Sequence, residues 1–379
     1  MTERPNISLM AYFAPLTDPR VERSRHHKLI DIIVIAVCAV LCGADGWADM
    51  ERFGKAKYEW LKGFLELPYG IPSHDTFGRV FAQLCPRAFE AAFVGWMQAV
   101  AESLSGQVVA IDGKTVRRSY DRRSSKAAVH MVSAWAHAQH LVLGQVRTDA
   151  KSNEITAIPE LLGLLNLHGC IVTIDAMGCQ KSIAAEIIER GADYVLALKG
   201  NHDHLHHDVR LTFEALRRSD FNNTPYSYHE TLDKDHGRIE VRRYWSIPVP
   251  EWMAKEYHAW TGLRSLGLVE SERHMEGQVT TETRCYLCSL QPDAQRLAHA
   301  VRGHWGVENP LHWVLDVVFA EDNSRVRKDH APGNLSLLRR IALNLLRRDT
   351  STKAGVNAKR LKAGWDERYL TNLLMSNYL

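Results

Sequence analysis

Apolar residues follow a helical period through the first hundred residues of the chain. In residues 25–104 apolar side chains recur every three to four positions, which predicts an all-α N-terminal domain. Within it, residues 32–42 are almost entirely apolar, but this run is too short for a membrane span, which needs about twenty residues. We therefore expect a buried helix there. Residues 1–24 show little periodicity and are predicted to form a flexible arm.

The period changes near residue 107, where short apolar runs alternate with helical segments. Residues 107–112, 170–175 and 194–198 are nearly continuous in apolar side chains, as strands buried on both faces are. Residues 127–138 and 141–148 predict a hairpin. Together these patterns predict a mixed α/β sheet covered on both faces.

The second half of the chain divides into three further segments. Residues 201–290 contain one helix and then several short strand patterns, so we expect a β-rich insertion. Residues 291–348 return to a helical period and are predicted to join residues 107–200 in one core. Residues 349–379 are predicted to form a basic C-terminal tail or helix.

A turn followed by a capped helix predicts a role for the N-terminal region. Residues 68–72 contain two prolines and a glycine, and Ser73 can cap a helix that begins at His74. A helix, a turn and a second helix with a polar first turn are typical of a helix-turn-helix, which contacts DNA bases through that first turn. Two helices that only pack together give the same pattern, so both interpretations stand.

The charge of the chain is small but unevenly distributed. Its 379 residues carry a formal net charge of +3. From Arg325 to the C-terminus, twelve Lys/Arg and four Asp/Glu give +8, so the remainder nets −5. This asymmetry predicts a surface that faces a polyanion, unless the cations are only a solvated helical face.

The seven cysteines indicate a reducing environment. Their number is odd and most lie in apolar surroundings, so we expect a cytoplasmic protein without disulfides or membrane association. Cys285 and Cys288 have the spacing of half a zinc site, but they lie in a predicted strand without a second pair. The histidines of residues 201–208 also invite a zinc enzyme. We favour a helix start there, because these side chains cannot all face one ion.

Two aspartates lie at the ends of predicted strands. Asp112 closes the apolar run 108–111, and Asp175 closes the run 171–174. Open α/β sheets bind ligands outside the carboxyl ends of their strands. Asp112 could belong to an Asp-Gly turn, whereas Asp175 lies too far upstream to cap the next helix. Because an unpaired buried carboxylate is costly, a bound cation explains Asp175 better.

A third acid, Glu308, lies in a helix-like segment that contains two tryptophans. His304, Glu308 and His312 would share one face of a regular helix, although Pro310 can kink it. A surface amphipathic helix is the alternative, but it explains the tryptophans poorly. Two strand-end aspartates and a helix glutamate can together bind a pair of hard divalent cations.

Basic residues near these acids are candidates for contacts with a DNA backbone, because Arg and Lys hold phosphates. Arg122 continues the basic run that follows Asp112. Arg238 and Arg242 share one face of a strand with Glu240, where an exposed salt-bridge ladder is an equal alternative. The predicted DNA contacts are Lys114, Arg117, Arg118, Lys199, Arg238, Arg242, Arg302 and His304.

With these motifs the chain resembles the DDE transposases of bacterial insertion sequences, most closely the ISAs-type, H-repeat-associated group. The resemblance spans essentially the whole chain through six ordered motifs. They are residues 110–114, 151–155, 174–176, 196–201, 236–240 and 304–316. Any one motif alone is weak, but six in this order are specific.

The resemblance implies an RNase H-like catalytic core, interrupted by a β-rich insertion before the helix that bears Glu308. It implies Asp112, Asp175 and Glu308 as ligands of two Mg²⁺ ions, with Mn²⁺ as a substitute. One ion would activate water or a 3′-hydroxyl, and the other would stabilise the leaving oxygen. The reaction would be DNA strand cleavage at element ends, followed by strand transfer into target DNA. Double-stranded DNA and further copies of the chain, in a homo-oligomer, are the implied partners.

One set of positions departs from the wider family. Where wider relatives carry Tyr, Arg, Glu and Lys, this chain has Val301, His304, Glu308 and Leu315. The resemblance therefore does not extend to a hairpin-forming mechanism, which relies on that Tyr, Arg and Lys. Two alternatives stay open: another RNase H-like nuclease, and a DNA-binding protein whose acidic triad is a relic.

Overall fold

The part of the chain that the structure describes contains a nine-stranded mixed sheet. The computed structural model describes residues 9–101, 103–120, 127–148, 154–222, 224–235, 238–275 and 278–375. The strands are β1 (Val108–Thr115), β2 (His130–Ala136), β3 (Leu141–Thr148), β4 (Ile171–Ile174), β5 (Asp193–Leu198), β6 (Ser227–Asp235), β7 (Arg238–Pro248), β8 (Ser265–Met275) and β9 (Gln278–Cys288). Their spatial order is β3-β2-β1-β4-β5-β9-β8-β7-β6.

The sheet combines a parallel centre with antiparallel flanks. β1, β4 and β5 are parallel, and the other neighbouring strands pair antiparallel. This arrangement confirms the predicted mixed α/β class. The β-rich insertion is continuous with the core, because β9 pairs directly with β5 and places Leu287 opposite Leu196. Its strands therefore extend one sheet and do not form a second one.

Helices cover the sheet and form a large body beside it. They are α1 (Leu9–Phe13), α2 (Leu29–Leu41), α3 (Trp47–Ala56), α4 (Tyr58–Lys62), α5 (His74–Gln83), α6 (Pro86–Val100), α7 (Glu154–Leu164), α8 (Lys181–Glu189), α9 (Asp203–Arg218), α10 (Glu251–Glu256), α11 (Ala294–Trp305), α12 (Val314–Val317), α13 (Ala331–Arg348), α14 (Val356–Trp365) and α15 (Glu367–Met375). Because successive strand residues point to opposite faces, Val109 packs with α7 and α8 whereas Val108 packs against α11.

The N-terminal helices share one hydrophobic core with the C-terminal helices. α2 is buried on every side, apart from the half-buried Ile30, because α13 packs along it. The predicted buried helix is thus confirmed. Residues 9–24 differ from the predicted flexible arm, since α1 buries Leu9 and Phe13 in the same core. Among the described residues no helix is both long and apolar enough to cross a membrane.

Several cations of the basic C-terminal region lie inside this helical body. Arg339, Arg340, Lys359 and Arg360 are all buried. Arg360 Nε donates to the carbonyl of Val40 at 3.0 Å, which ties α14 to α2. The net charge of +8 therefore does not describe a continuous polyanion-facing surface, because part of it satisfies carbonyls and acids in the core. This burial corrects the prediction from the charge distribution.

Candidate active site

Asp112 and Asp175 are brought together by the parallel pairing of β1 and β4. Ile111 lies opposite Ile174, so the next residues lie side by side where β4 ends, although Asp112 is inside β1, which continues to Thr115. Both acids line a cavity of about 150 Å³ together with Glu308. All three predicted acids thus line one cavity, in which Asp112 and Asp175 are half-buried and Glu308 is exposed, although they come from distant parts of the chain.

Burial and neighbouring acids make Asp112 unusually reluctant to ionise. Burial raises the pKa of its carboxyl, and the negative charges of Glu154, Asp175 and Glu308 raise it further, to about 7, despite a hydrogen bond from the backbone N–H of Gly113. His312 Nδ1 lies 3.5 Å from Asp112 Oδ2. Burial lowers the pKa of His312 to about 4, so this imidazole is neutral at pH 7 and does not offset the acids.

Asp175 has a local hydrogen-bonding role as well. Its Oδ1 accepts from the backbone N–H of Met177 at 3.0 Å and of Gly178 at 3.4 Å, which closes the turn after β4. Asn201 Nδ2 donates to the carbonyl of Ala176 at 2.7 Å and holds the same turn from the other side. Asp175 is therefore not an unpaired carboxylate, because these N–H groups satisfy one of its oxygens.

Glu308 begins a π-helical turn, Glu308–Trp313, between α11 and α12. The backbone N–H groups of Leu311 and His312 both donate to the carbonyl of Val307, at 3.1 and 3.2 Å. The regular helix predicted for this segment is thus interrupted, and Pro310 lies within the interruption. Such π-turns occur frequently at functional sites, where they redirect side chains.

A histidine–glutamate pair beside Asp112 was missed from the sequence. His130 Nε2 lies 2.7 Å from Glu154 Oε1, and His130 Nδ1 lies 2.9 Å from Thr115 Oγ1. A Cβ at Gly113 would lie 2.0 Å from Glu154 Oε1 and 2.4 Å from His130 Nε2, so any other residue there would displace the ends of these two side chains. Gly113 is therefore a close-packing position inside β1 and not the turn considered as an alternative. Residues 151–153 and Arg122, which belong to predicted motifs, lie outside the described residues.

Lys114 was predicted to contact phosphate, but its side chain lies inside the protein. It is 8% exposed, and its Nζ lies 2.5 Å from Asp316, 3.2 Å from Glu321 and 3.5 Å from Asp322. With three carboxylates around it, this ammonium is not available to DNA. By contrast, Arg117, Arg118 and Lys199 are exposed, and Lys199 borders the acid cavity.

The arginines of the insertion form a ladder of internal ion pairs. Arg242 Nη2 lies 2.5 Å from Glu240 Oε2, and Arg238 Nη2 lies 3.7 Å from the same oxygen. Arg302 Nη2 lies 3.5 Å from Asp233 Oδ2. These pairs favour the salt-bridge alternative for this face, and Arg242 is the least available to DNA because its side chain is only 11% exposed. His236 and Gly237 of this motif lie outside the described residues.

His304 is half-buried and neutral. Burial lowers its pKa to about 4, although Asp175 opposes this shift, and its Nδ1 lies 3.1 Å from Thr173 Oγ1. A neutral imidazole can donate one hydrogen bond to a phosphate but brings no positive charge. Val301 and Leu315, which stand where wider relatives carry Tyr and Lys, are both buried core residues. No polar group replaces the Tyr and Lys at these two positions.

Oxygen ligands from Asp112, Asp175 and Glu308 are the type that hard divalent cations prefer. Burial, and after it the crowding of negative charge, raises the pKa of Asp112, and a bound cation would relieve that crowding. Within the described residues, however, no group of three His, Cys, Asp or Glu side chains is close enough to form a ready-made metal site. The residues considered for zinc form no such group either, and two of them, Cys285 and Cys288, are buried in β9.

Known protein families match nearly all of the chain. A family model described as "Transposase DDE domain" matches residues 103–345. A second model, described as "DDE_Tnp_1-associated", matches residues 10–97. The first match contains Asp112, Asp175 and Glu308, and it runs through the whole of the sheet.

Curated relatives carry matching names. The chain is 44% identical to "Putative transposase YncI" of Escherichia coli O157:H7, over 97% of this chain and 95% of the relative. It is 40% identical to "H repeat-associated putative transposase YhhI" of Escherichia coli K12, over 98% of both chains. A shorter relative from K12, "Inactive transposase YbfQ", is 41% identical over 20% of this chain and 89% of its own length.

Proposed function

Because the chain belongs to the DDE transposases of the H-repeat-associated type, we propose that it cleaves DNA strands at the ends of an insertion sequence and joins them to target DNA. The observation that carries this proposal is the convergence of Asp112, Asp175 and Glu308 on one cavity. These three acids would hold two Mg²⁺ ions, or Mn²⁺ in their place. Bound there, the ions supply the Lewis acidity that in-line attack on a phosphodiester requires.

The protein's own residues prepare this site in two ways. The turn closed by Asp175 and Asn201 fixes one carboxylate at the end of β4. Lys199 stands exposed at the border of the cavity, where an ammonium would attract the phosphate to be cut. We propose an RNase H-like core made of β1 to β5, which is supported by a parallel centre carrying both aspartates at one edge.

We further propose that the protein acts as a homo-oligomer on paired DNA ends, in the cytoplasm at the nucleoid. A transposition reaction must hold two ends of one element together, and a second copy of the chain can supply the second active site. Light scattering of the protein with and without DNA would measure the number of copies. A monomer in both conditions contradicts this part of the proposal.

Strand cleavage of supercoiled plasmid that carries the flanking DNA tests the catalytic assignment. We expect Mg²⁺-dependent nicking by the unmutated protein, and a loss of at least about 100-fold in Asp112→Asn, Asp175→Asn and Glu308→Gln. Glu256→Gln, which changes an exposed acid on α10, is the matched control and should nick normally. Equal cleavage by Asp112→Asn and the unmutated protein would refute the assignment.

The two alternatives give different results in the same experiments. A nuclease of related fold would nick DNA without joining strands to a target. A relic would bind DNA without nicking it, and the similarity to a relative named inactive keeps this test necessary. Terminal inverted repeats beside the gene, with a short target duplication, would favour the transposase.

A further inference from the structure

A second cleft lies between the N-terminal helices and the segment that follows α12. Its volume is about 710 Å³, far larger than the acid cavity. One wall is formed by the start of α3 and the first turns of α5, and the other by residues 320–328. The charged residues that line it are Arg79, Arg325, Arg327 and Lys328, with His74, Asp45 and Asp75.

The cleft has more basic than acidic side chains, and two of the basic ones form no ion pair among the described residues. Asp45 Oδ1 lies 3.4 Å from Arg360 Nη2, so its charge is already offset from within the helical body. Asp75 Oδ1 lies 3.7 Å from His74 Nε2. Arg325 and Lys328 are exposed, and within the described part of the chain neither side chain pairs with a carboxylate. The cleft therefore presents unpaired positive charge to an incoming anion.

The cleft is connected to the strand that carries Asp112. Arg327 Nε donates to the carbonyl of Arg118 at 3.2 Å, and its guanidinium lies 5.3 Å from the centre of the Tyr120 ring. Arg118 follows the end of β1, and the three residues from Asp112 to Thr115 span about 10 Å at the rise of a strand. Arg118 lies six positions after Asp112, so the two lie at most about 22 Å apart, roughly six base pairs of a duplex.

We propose that this cleft holds the phosphate backbone of double-stranded DNA beside the position that is cut, an inference that rests on the proposed function. The first turn of α5 faces the cleft, and Ser73 caps this helix by accepting from the backbone N–H of Thr76 at 3.3 Å. Helices that enter DNA grooves contact base edges with such first-turn residues. The free cations on the opposite wall suit the phosphates that flank that groove.

Salt-dependent DNA binding by a double variant tests the proposal. Fluorescence anisotropy would follow binding of a fluorescein-labelled duplex of arbitrary sequence to the unmutated protein and to Arg325→Ala/Lys328→Ala. Since each lost phosphate contact removes about 0.9 from the slope of log Kd against log salt concentration, we expect the slope to fall by about 1.8 and binding to weaken. Both side chains are exposed and unpaired, so the melting temperature should not change.

The matched control is Arg218→Ala/Lys255→Ala, which removes two exposed cations from the insertion. It should leave the slope unchanged. An unchanged slope in Arg325→Ala/Lys328→Ala, or an equal fall in the control, overturns the proposal.

Plasmid nicking separates this proposal from the catalytic one. Below saturation, Arg325→Ala/Lys328→Ala should nick more slowly than the unmutated protein, whereas Arg218→Ala/Lys255→Ala should nick at the unmutated rate. If the unmutated protein nicks the plasmid but the slope is unchanged in the variant, the proposal that the cleft binds DNA fails and the catalytic proposal stands. If the unmutated protein neither binds the duplex nor nicks the plasmid, the proposed function fails and the cleft with it.

Discussion

Burial controls the protonation of single side chains in several parts of this molecule. It raises the pKa of Asp112 to about 7 and lowers the pKa of His304 and His312 to about 4. Outside the acid cavity, burial first and then the charge of Glu160 raise the pKa of Glu90 in α6 to about 8. At pH 7 this side chain is therefore mostly protonated in the folded protein.

Replacing Glu90 by Gln should remove a pH dependence of stability. Between about pH 4.5 and pH 8 the folded protein keeps a proton that the unfolded chain has lost, so the free energy of unfolding falls as the pH rises. Glu90→Gln should thus be more stable than the unmutated protein at pH 9, by about 3–5 kcal/mol, with the difference shrinking toward pH 4. Urea unfolding across this range measures it. Glu189→Gln, an exposed change on α8, is the control, and parallel curves for both variants would contradict the expectation.

At this scale, only side chains that are anomalous in their local pattern could be found from the sequence. Asp112 and Asp175 follow apolar runs, where an acid has few structural explanations. Glu154 and His130 gave no such signal, because they meet only through the register of β1 with β2 and the path of α7. The basic run around Lys114 wrongly suggested a phosphate contact, because its three acidic partners lie about two hundred residues away in the chain.

At the scale of elements, an ionic cluster joins β1 to the segment after the π-turn. Lys114 reaches from β1 to Asp316 in α12 and to Glu321, which also pairs with Arg340 of α13 at 3.1 Å. Burial by itself raises the pKa of Glu321, but Arg340 and Lys114 outweigh burial and lower it to about 2. The cluster thus fixes the strand of Asp112 relative to the helical segment that bears Glu308.

Breaking this cluster should destabilise the fold far more than breaking an exposed pair. Lys114→Met leaves the buried Glu321 and the half-buried Asp316 and Asp322 with one partner fewer, which we expect to cost about 3–5 kcal/mol in the free energy of unfolding. Arg117→Ala removes a pair with Asp322 at 3.3 Å, but its side chain is 81% exposed, so the expected loss is about 0–1 kcal/mol. Equilibrium unfolding in urea compares the two. Equal losses would show that the cluster contributes no more than a surface pair.

Most elements could be predicted from the sequence because their signals are local. The buried α2, the strands β4 and β5, and the hairpin of β2 and β3 follow from runs of apolar residues. The π-turn could not be predicted in this way, because it depends on how Val307 and Leu311 pack in the shared helical core. The end of β1 also lay three residues beyond the prediction, because pairing with β2 continues through Gly113 to Thr115.

At the scale of the whole molecule, the first hundred residues and the last fifty build one core. α2 packs along α13, and Arg360 of α14 donates to the carbonyl of Val40. The predicted N-terminal domain of residues 25–104 is therefore not closed on itself, and neither is the predicted tail. Sequence periodicity identified both sets of helices, but contacts between residues three hundred positions apart leave no local pattern.

A fragment of residues 1–104 should consequently fail to fold alone. Without α13 and α14, the apolar surface of α2 would face water, and its helices would lose most of their tertiary support. Thermal melting followed by circular dichroism should show no cooperative transition for the fragment and one for the full chain. A cooperative melt of the fragment would restore residues 25–104 as an independent domain.

The return of β9 to the side of β5 has a consequence for how this protein can vary in length. Chain added or removed where β6 meets β7, after Asp235, or where β8 meets β9, after Met275, lies at the far end of long antiparallel ladders. The pairing of Leu287 with Leu196 is fixed at the near end, and α11 begins six residues after β9. Evolution can therefore lengthen or trim these outer hairpins while Glu308 still arrives beside the two aspartates.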